Sequence, residues 1–106
     1  MALARDFKET VAARVQNDPA FAQALLDEDI TLCDNGEPGS AKLILRDLVN
    51  ATVGFDALAE EFHKLAKSLH RMLSQSGNPT MSNISAVFAA IKRALKVEVH
   101  TRIVMA

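Results

Sequence analysis

Apolar residues recur at intervals of three and four positions along most of the chain, which is the spacing of amphipathic α-helices. Two such helices are predicted before residue 37, and Asp18-Pro19 supplies the N-cap and the first helical residue of the second. That helix ends at Asn35-Gly36. Residues 38–40 are predicted as a loop whose Ser40 caps a third helix. The positions predicted to face inward are Phe7, Val11, Val15, Phe21, Leu25, Leu26, Ile30, Leu43, Ile44, Leu48 and Val49.

Gly54 interrupts this pattern, and three further helices are predicted behind it. The first two are short and begin near Phe55 and Ala66. Gly77-Asn78-Pro79 is predicted to be a turn, after which Thr80 caps a sixth helix. The apolar face of that sixth helix consists of Ile84, Val87, Phe88, Ile91 and Leu95.

The end of the chain changes to a period of two, with apolar and charged residues alternating over residues 96–103. This alternation predicts a β-strand. Because a lone strand leaves its backbone groups unpaired and nothing else in the sequence has a strand pattern, we expect it to pair with a second molecule, either a copy of this chain or another protein. In an antiparallel pair about Val99, Glu98 meets His100 of the other copy. The alternative is a loose chain end.

Residues 55–73 have the pattern of a helix-turn-helix. Leu58 and Phe62 face inward from the first helix, Leu69 and Met72 face inward from the second, and the small Ala59 allows the helices to approach closely. The second helix then points four hydrogen-bond donors outward: Lys67, Ser68, His70 and Arg71. A short helix with such a face can enter the DNA major groove. Other pairs of short amphipathic helices share this pattern.

The two halves of the chain carry opposite net charge, although the 106 residues together have a formal net charge of −1. Residues 1–50 hold five Lys/Arg and nine Asp/Glu, a net of −4, whereas residues 51–106 hold seven and four, a net of +3. A basic half suits nucleic-acid phosphates and an acidic half does not. The predicted organisation is therefore an acidic N-terminal helical extension at residues 1–37 and a helix-turn-helix DNA-binding domain with the C-terminal strand at residues 38–106.

Six segments carry a family resemblance: RDFKET at 5–10, DPAF at 18–21, LRDLVNATVGF at 45–55, ALA at 57–59, KSLHRML at 67–73 and SGNPT at 76–80. Through them nearly the whole chain resembles the addiction-module antidote proteins, HigA-like antitoxins with a lambda-repressor/Cro (Xre-type) DNA-binding domain. The resemblance implies an antitoxin that neutralises a toxin related to the RelE (HigB-like) ribonucleases and represses its own operon. The expected fold class is all-α, a lambda-repressor-like helix-turn-helix bundle of five to six helices with one C-terminal β-strand paired across a dimer.

Two residues depart from the family pattern at the turn. Glycine is common there, whereas this chain has His63. Histidine enters the left-handed backbone region more readily than most residues, so we expect the turn to form. Lys64 stands where many repressors have an apolar residue, and it is predicted to face a DNA phosphate instead.

Eight residues are predicted to contact double-stranded operator DNA. Contacts to bases or the groove are assigned to Lys67, Ser68, His70 and Arg71, with Arg71 as the guanine reader. Phosphate contacts are assigned to Lys64, Asn78, Thr80 and Ser82, because the start of the sixth helix offers free N–H groups and a favourable dipole. The alternatives are ordinary solvated charges for the lysines and, for His70, a place at the edge of the core.

Two protein partners are predicted. One recognition helix makes too few contacts for useful specificity, so we expect a homodimer that reads half-sites about one DNA turn, near 34 Å, apart. A cognate toxin is expected to bind the acidic first half, whose candidate residues are Asp27, Glu28, Asp29, Asp34 and Glu37. The alternative for this surface is ordinary solvation. The runner-up functions are a stand-alone, phage-like repressor without a toxin and an interaction module that has lost DNA binding.

The sequence lacks the motifs that would indicate an enzyme, a metal protein, or a secreted or membrane protein. The sequence has no phosphate-binding glycine loop, no His-Glu-x-x-His motif and no histidine paired by spacing with Cys33, so no enzyme, cofactor or metal site is predicted. Cys33 lies in an apolar run and is expected to be a small buried hydrophobe. Neither a signal peptide nor a run of about 18–20 apolar residues for a membrane span is recognised, and a reducing cytoplasm is the expected location.

Overall fold

Six helices make up most of the chain in the computed structural model, which describes the backbone of residues 2–106 and the side chains of residues 10–106. The helices are α1 (Ala2–Asn17), α2 (Pro19–Asp34), α3 (Pro38–Ala51), α4 (Phe55–Phe62), α5 (Ala66–Met72) and α6 (Met81–Leu95). The described part of the chain is therefore all-helical, which is compatible with a helix-turn-helix bundle. Within it, none of the helices has the length and apolar character to cross a membrane.

The junction between α1 and α2 follows the predicted cap. The Asp18 carboxylate accepts a hydrogen bond from the Phe21 amide at 3.2 Å, and Pro19 occupies the first helical position. The Arg14 guanidinium lies 3.7 Å from the Asp18 carboxylate and 4.1 Å from the centroid of the Phe21 ring. The prediction at this junction is confirmed. Phe7, predicted to face inward from α1, lies outside the residues whose side chains are described.

The start of α3 corrects the predicted loop at residues 38–40. Gly36 has a φ of 75°, and Pro38 then occupies the first turn of the helix behind Glu37. Ser40 therefore lies inside the helix and is not its N-cap. The physical reason is that proline already has the φ of a helix and needs no N–H bond at its first position, so α3 starts there without further loop residues.

The buried face of α3 also differs from the prediction at one position. Leu43 is 52% exposed, whereas Leu45 is 2% exposed and Leu48 is fully buried. Leu43 is two residues from both Ala41 and Leu45, which places it about 200° around the helix from each of these buried side chains. The prediction of Leu43 as a core residue is therefore wrong, and the core position is Leu45.

The main core lies between α2, α3, α4, α5 and α6. Its buried side chains are Leu26, Leu45, Leu48, Val49, Phe55, Leu58, Ala59, Leu69, Leu73, Val87, Ala90 and Ile91. A second cluster of Val15, Ala22 and Ala51 joins α1, α2 and α3. Full burial of a large apolar side chain contributes roughly 1.5–3 kcal/mol. The buried side chains of α4 and α5, among them Leu58 and Leu69, therefore anchor this helix pair on the core.

Two residues of α2 have the opposite burial to that expected. Asp29 is fully buried instead of surface-exposed, and neither of its carboxylate oxygens has a hydrogen-bond partner among the described residues. It lies three residues after the buried Leu26, on the face that points to the core. Burial raises the pKa of Asp29 from 3.8 to about 7. Cys33 is exposed instead of buried, because it lies in the last turn of α2, at the rim of a small apolar hollow.

The chain leaves α6 through Lys96, whose φ of 57° ends the helix. Val97 and Val99 are half-buried against the main core, whereas Glu98 is exposed, so the predicted alternation is present here. No β-strand is present among the described residues of the single chain, which contain no second strand whose backbone could pair with this segment, so pairing with a second molecule stays a prediction. The last apolar residues are largely or fully exposed: Ile103 at 102%, Val104 at 73% and Met105 at 97%.

Candidate nucleic-acid interface

The turn between α4 and α5 contains the left-handed residue that was expected from the sequence. His63 follows the last residue of α4 with φ 53° and ψ 42°, in the left-handed region. Its amide donates to the Glu60 carbonyl at 3.2 Å, and the Lys64 amide donates to the Ala59 carbonyl at 3.0 Å. The prediction that histidine replaces the usual glycine at a left-handed turn position is confirmed.

Helix α5 has one buried face and one exposed face. Leu69 is fully buried, and Met72 is half-buried against the same core. The four residues predicted to point outward from this helix are all exposed: Lys67, Ser68, His70 and Arg71. The polar face of α5 is therefore accessible to a large ligand.

An open groove lies between α5 and the loop that leads to α6. Lys64, Ser68 and Arg71 line it from the turn and α5, and Asn78 and Thr80 line it from the loop. These are five of the eight residues predicted to contact DNA, and the chain brings them together from two segments separated in sequence. We call this surface the α5–α6 groove. Its remaining lining residues are Met72, Ser76, Gly77, Pro79 and Asn83.

The other three predicted residues lie outside the groove lining. Lys67 is exposed on α5, and Ser82 is exposed in the first turn of α6. The His70 ring stacks on the Phe55 ring, with centroids 3.9 Å apart and planes at 21°. This contact matches the alternative considered for His70, a place at the edge of the core, because Phe55 is itself a core residue.

The loop before α6 is packed tightly against the end of α5. The Gly77 amide donates to the Ser74 carbonyl at 3.0 Å, and the Ser74 hydroxyl donates to the Arg71 carbonyl at 2.6 Å. A Cβ atom at Gly77 would lie 2.3 Å from the backbone oxygens of both Arg71 and Met72. Only glycine fits this position, since real Cβ atoms do not approach carbonyl oxygens so closely.

The first turn of α6 is capped as predicted. The Thr80 side-chain oxygen accepts a hydrogen bond from the Asn83 amide at 3.1 Å. A hydroxyl that accepts one bond still has its own O–H to donate. Thr80 can therefore cap α6 and donate to a phosphate oxygen at the same time.

Lys42 on α3 also forms hydrogen bonds to the loop before α6. Lys42 was not identified from the sequence as a functional residue. Its side chain on α3 is only 9% exposed, and its ammonium donates to the backbone carbonyls of Gln75, at 3.1 Å, and Gly77. The available signal was its place between Ala41 and Leu45, on the buried face of α3. Lysine at such a position needs hydrogen-bond acceptors, because a buried charge is costly when it has none.

The charge around the groove is uneven. Lys64, Lys67 and Arg71 form no ion pair with any residue whose side chain is described. The groove lining contains no carboxylate, whereas the adjoining hollow on the α4 side of Lys64 includes Asp56 and Glu60. A polyanion is therefore favoured on the α5–α6 side of the turn and disfavoured on the α4 side.

The described residues contain no group of three or more His, Cys, Asp or Glu side chains placed to hold a metal ion. The groove is instead a set of cationic, hydroxyl and amide donors, which are the groups that hold phosphates and read base edges. Comparisons with protein-family models, with curated proteins and with solved structures found no match to this chain.

Proposed function

We propose that this protein is a DNA-binding antitoxin of a type II toxin–antitoxin module, which represses its own operon and neutralises a RelE/HigB-like ribonuclease. The observation that carries the DNA-binding part is the convergence of Lys64, Ser68, Arg71, Asn78 and Thr80 on one groove beside an exposed helix. The antitoxin part rests on the resemblance of six sequence segments to the addiction-module antidote proteins.

In this proposal, α5 enters the DNA major groove. Arg71 and Ser68 reach base edges from its exposed face, and Lys67 lies beside them. Lys64 before the helix and the loop residues Asn78 and Thr80 hold the sugar-phosphate backbone, which fixes the register of α5. His70 supports α5 through its contact with Phe55, and Ser82 extends the phosphate contacts along α6.

The proposed homodimer uses the C-terminal segment. Val97 and Val99 anchor the start of this segment on the core, whereas the apolar residues from Ile103 to Met105 are largely exposed. Pairing with the same segment of a second copy completes the backbone hydrogen bonds of both strands and removes apolar surface from water. Two α5 helices then face two half-sites about 34 Å apart.

The proposed toxin surface is the exposed acidic part of α2 and the loop behind it. Its residues are Asp27, Glu28, Asp34 and Glu37, without the buried Asp29. A nuclease that binds RNA needs a positively charged surface, and complementary charge speeds its encounter with an acidic partner. A stand-alone repressor has the same DNA contacts and no such partner.

The test of DNA binding is the affinity of the protein for a DNA fragment from its own promoter, measured by fluorescence anisotropy at several salt concentrations. We expect specific binding that weakens by orders of magnitude between about 50 and 200 mM salt, because several phosphates are neutralised. Absence of binding at low salt would contradict the proposal.

The antitoxin role has a separate test. A small basic open reading frame beside this gene, whose product copurifies with the protein after coexpression, supports the toxin–antitoxin module. DNA binding together with failure of the neighbouring product to copurify would favour the stand-alone repressor.

A further inference from the structure

Lys42 connects the centre of the fold to the loop that lines the α5–α6 groove. It is a charged side chain on the buried face of α3, with 9% exposure, and its ammonium donates to the carbonyls of Gln75 and Gly77. These two carbonyls lie 33 and 35 residues away along the chain. The contact is therefore a tertiary contact between α3 and the loop before α6.

The loop is also packed against its neighbours at three adjacent residues. Gly77 must approach the end of α5 closely, and its neighbours Asn78 and Pro79 share a small apolar hollow with the stem of Lys42. The carbonyls of Gln75 and Gly77 accept hydrogen bonds from the Lys42 ammonium, and Asn78 also lines the α5–α6 groove. Fixing the two carbonyls therefore fixes the position of the groove-lining residues that follow them.

An ammonium group suits this role better than an apolar side chain of the same length. It has three donors and bonds two carbonyls at once. Without it, both carbonyls would lose a strong, charge-assisted partner and would have to turn toward water. Such a turn would rotate the peptide groups that follow Gln75 and Gly77, and the second of these joins Gly77 to Asn78.

We propose that Lys42 is a positioning residue for phosphate binding: through the carbonyls of Gln75 and Gly77 it sets the place of Asn78 and Thr80 without touching DNA. This inference rests on the proposed function of the groove. It adds a residue from α3, outside the helix-turn-helix, to the determinants of DNA affinity.

The experiment is a double-mutant cycle on DNA binding. Lys42→Met keeps the length of the side chain and removes the donors, and we expect it to weaken binding to operator and to non-specific duplex by a similar factor of about ten, because phosphate contacts are independent of sequence. In the Lys42→Met background, Asn78→Ala and Thr80→Ala should have little further effect, whereas Arg71→Ala should keep its full effect. A purely stabilising role of Lys42 gives additive effects at all three sites, and that result would overturn the proposal.

Two further measurements keep the test decisive if Lys42→Met folds poorly or if the protein does not bind the promoter fragment. In the wild-type protein, ¹⁵N NMR should detect one lysine ammonium that is protected from water exchange and coupled across hydrogen bonds to the carbonyl carbons of Gln75 and Gly77. Lys42→Arg, which keeps the charge and the donors, should preserve the amide exchange rates of residues 76–78. Absence of a protected ammonium would refute the contact from Lys42 to the loop, whereas a protected ammonium without any DNA binding would refute the proposed function and with it the role of Lys42 in phosphate binding.

Discussion

The imidazole ring of His70 stacks on the phenyl ring of Phe55, with the two centroids 3.9 Å apart. His70 lies in the exposed middle of α5, and Phe55 is the first residue of α4 and part of the main core. The stack therefore joins the candidate recognition helix to the start of the helix that precedes it. We expect this contact to help hold α5 against α4.

Replacement of His70 should show whether this ring supports α5 or reads DNA. We expect His70→Ala to lower the free energy of unfolding by about 0.5–1.5 kcal/mol through loss of the ring contact. His70→Phe keeps a ring on Phe55 and should retain both stability and promoter affinity. The measurements are urea unfolding and fluorescence anisotropy. A selective loss of specific affinity in His70→Phe would instead assign the imidazole to a base contact.

The buried carboxyl of Asp29 should make stability depend on pH. Its pKa is raised by burial from 3.8 to about 7, so in this interval the folded protein holds a proton that the unfolded chain releases. Stability should therefore fall as pH rises from about 4 to 7 and become constant above 7, with a total change of a few kcal/mol.

The variant Asp29→Asn isolates this effect, because the amide has the same shape and no charge. Urea unfolding at pH 5 and pH 8 should show a gain in stability over wild type that is larger at pH 8. Asp27→Asn, at an exposed position on the same helix, is the control and should change little at either pH. An equal effect of Asp29→Asn at both pH values would show that the raised pKa of Asp29 is absent.

Two glycines give a matched pair for the packing of the groove loop. Gly77→Ala places a Cβ atom 2.3 Å from the Arg71 and Met72 carbonyl oxygens, and we expect it to cost about 1–3 kcal/mol and to weaken DNA binding. Gly39→Ala, in α3, meets nothing within 4 Å and should stabilise the protein by roughly 0.5 kcal/mol, because alanine has the higher helix propensity. Thermal unfolding compares the two. Equal stability of both variants would mean that the loop is not packed against α5.

The exposed end of the chain should control the oligomeric state. Deletion of residues 103–106 removes Ile103, Val104 and Met105, and we expect the truncated chain to be monomeric at micromolar concentrations at which the full chain is dimeric. Stability of the monomer should be nearly unchanged, since these side chains contact little in the single chain. Light scattering after size-exclusion chromatography measures both masses. A dimer that survives the deletion would move the interface elsewhere.

The local features of this fold were predictable because short-range chemistry determines them. Asp18-Pro19 and Thr80 start helices, and His63 adopts the left-handed region, for reasons contained in a few adjacent residues. Short-range chemistry does not predict that Arg71 and Asn78 line one groove. That expectation came from the helix-turn-helix pattern alone.

The errors concern burial, which depends on distant parts of the chain. Asp29 and Lys42 are charged residues whose burial is decided by which face of α2 or α3 meets the rest of the core, and a charged residue is normally assigned to the surface. Cys33 was predicted to be buried and is exposed, because apolar neighbours in the sequence do not ensure neighbours in space at the end of a helix. The C-terminal strand requires a second strand that one chain does not supply.

If the exposed face of α5 reads DNA, replacement of Arg71 should lower the affinity for the specific site. Its matched control is Lys92→Ala, which also removes one positive charge but lies near the end of α6 remote from the groove. Arg71→Lys keeps the charge and loses the two-pronged guanidinium.

The deciding measurement is the affinity of these variants for the promoter fragment at one fixed salt concentration. We expect Arg71→Ala to lose about 1–3 kcal/mol of specific binding, Arg71→Lys to recover only part of it, and Lys92→Ala to bind nearly as wild type. Equal affinity of Arg71→Ala and Lys92→Ala for the promoter would contradict the assignment of α5 as the recognition helix.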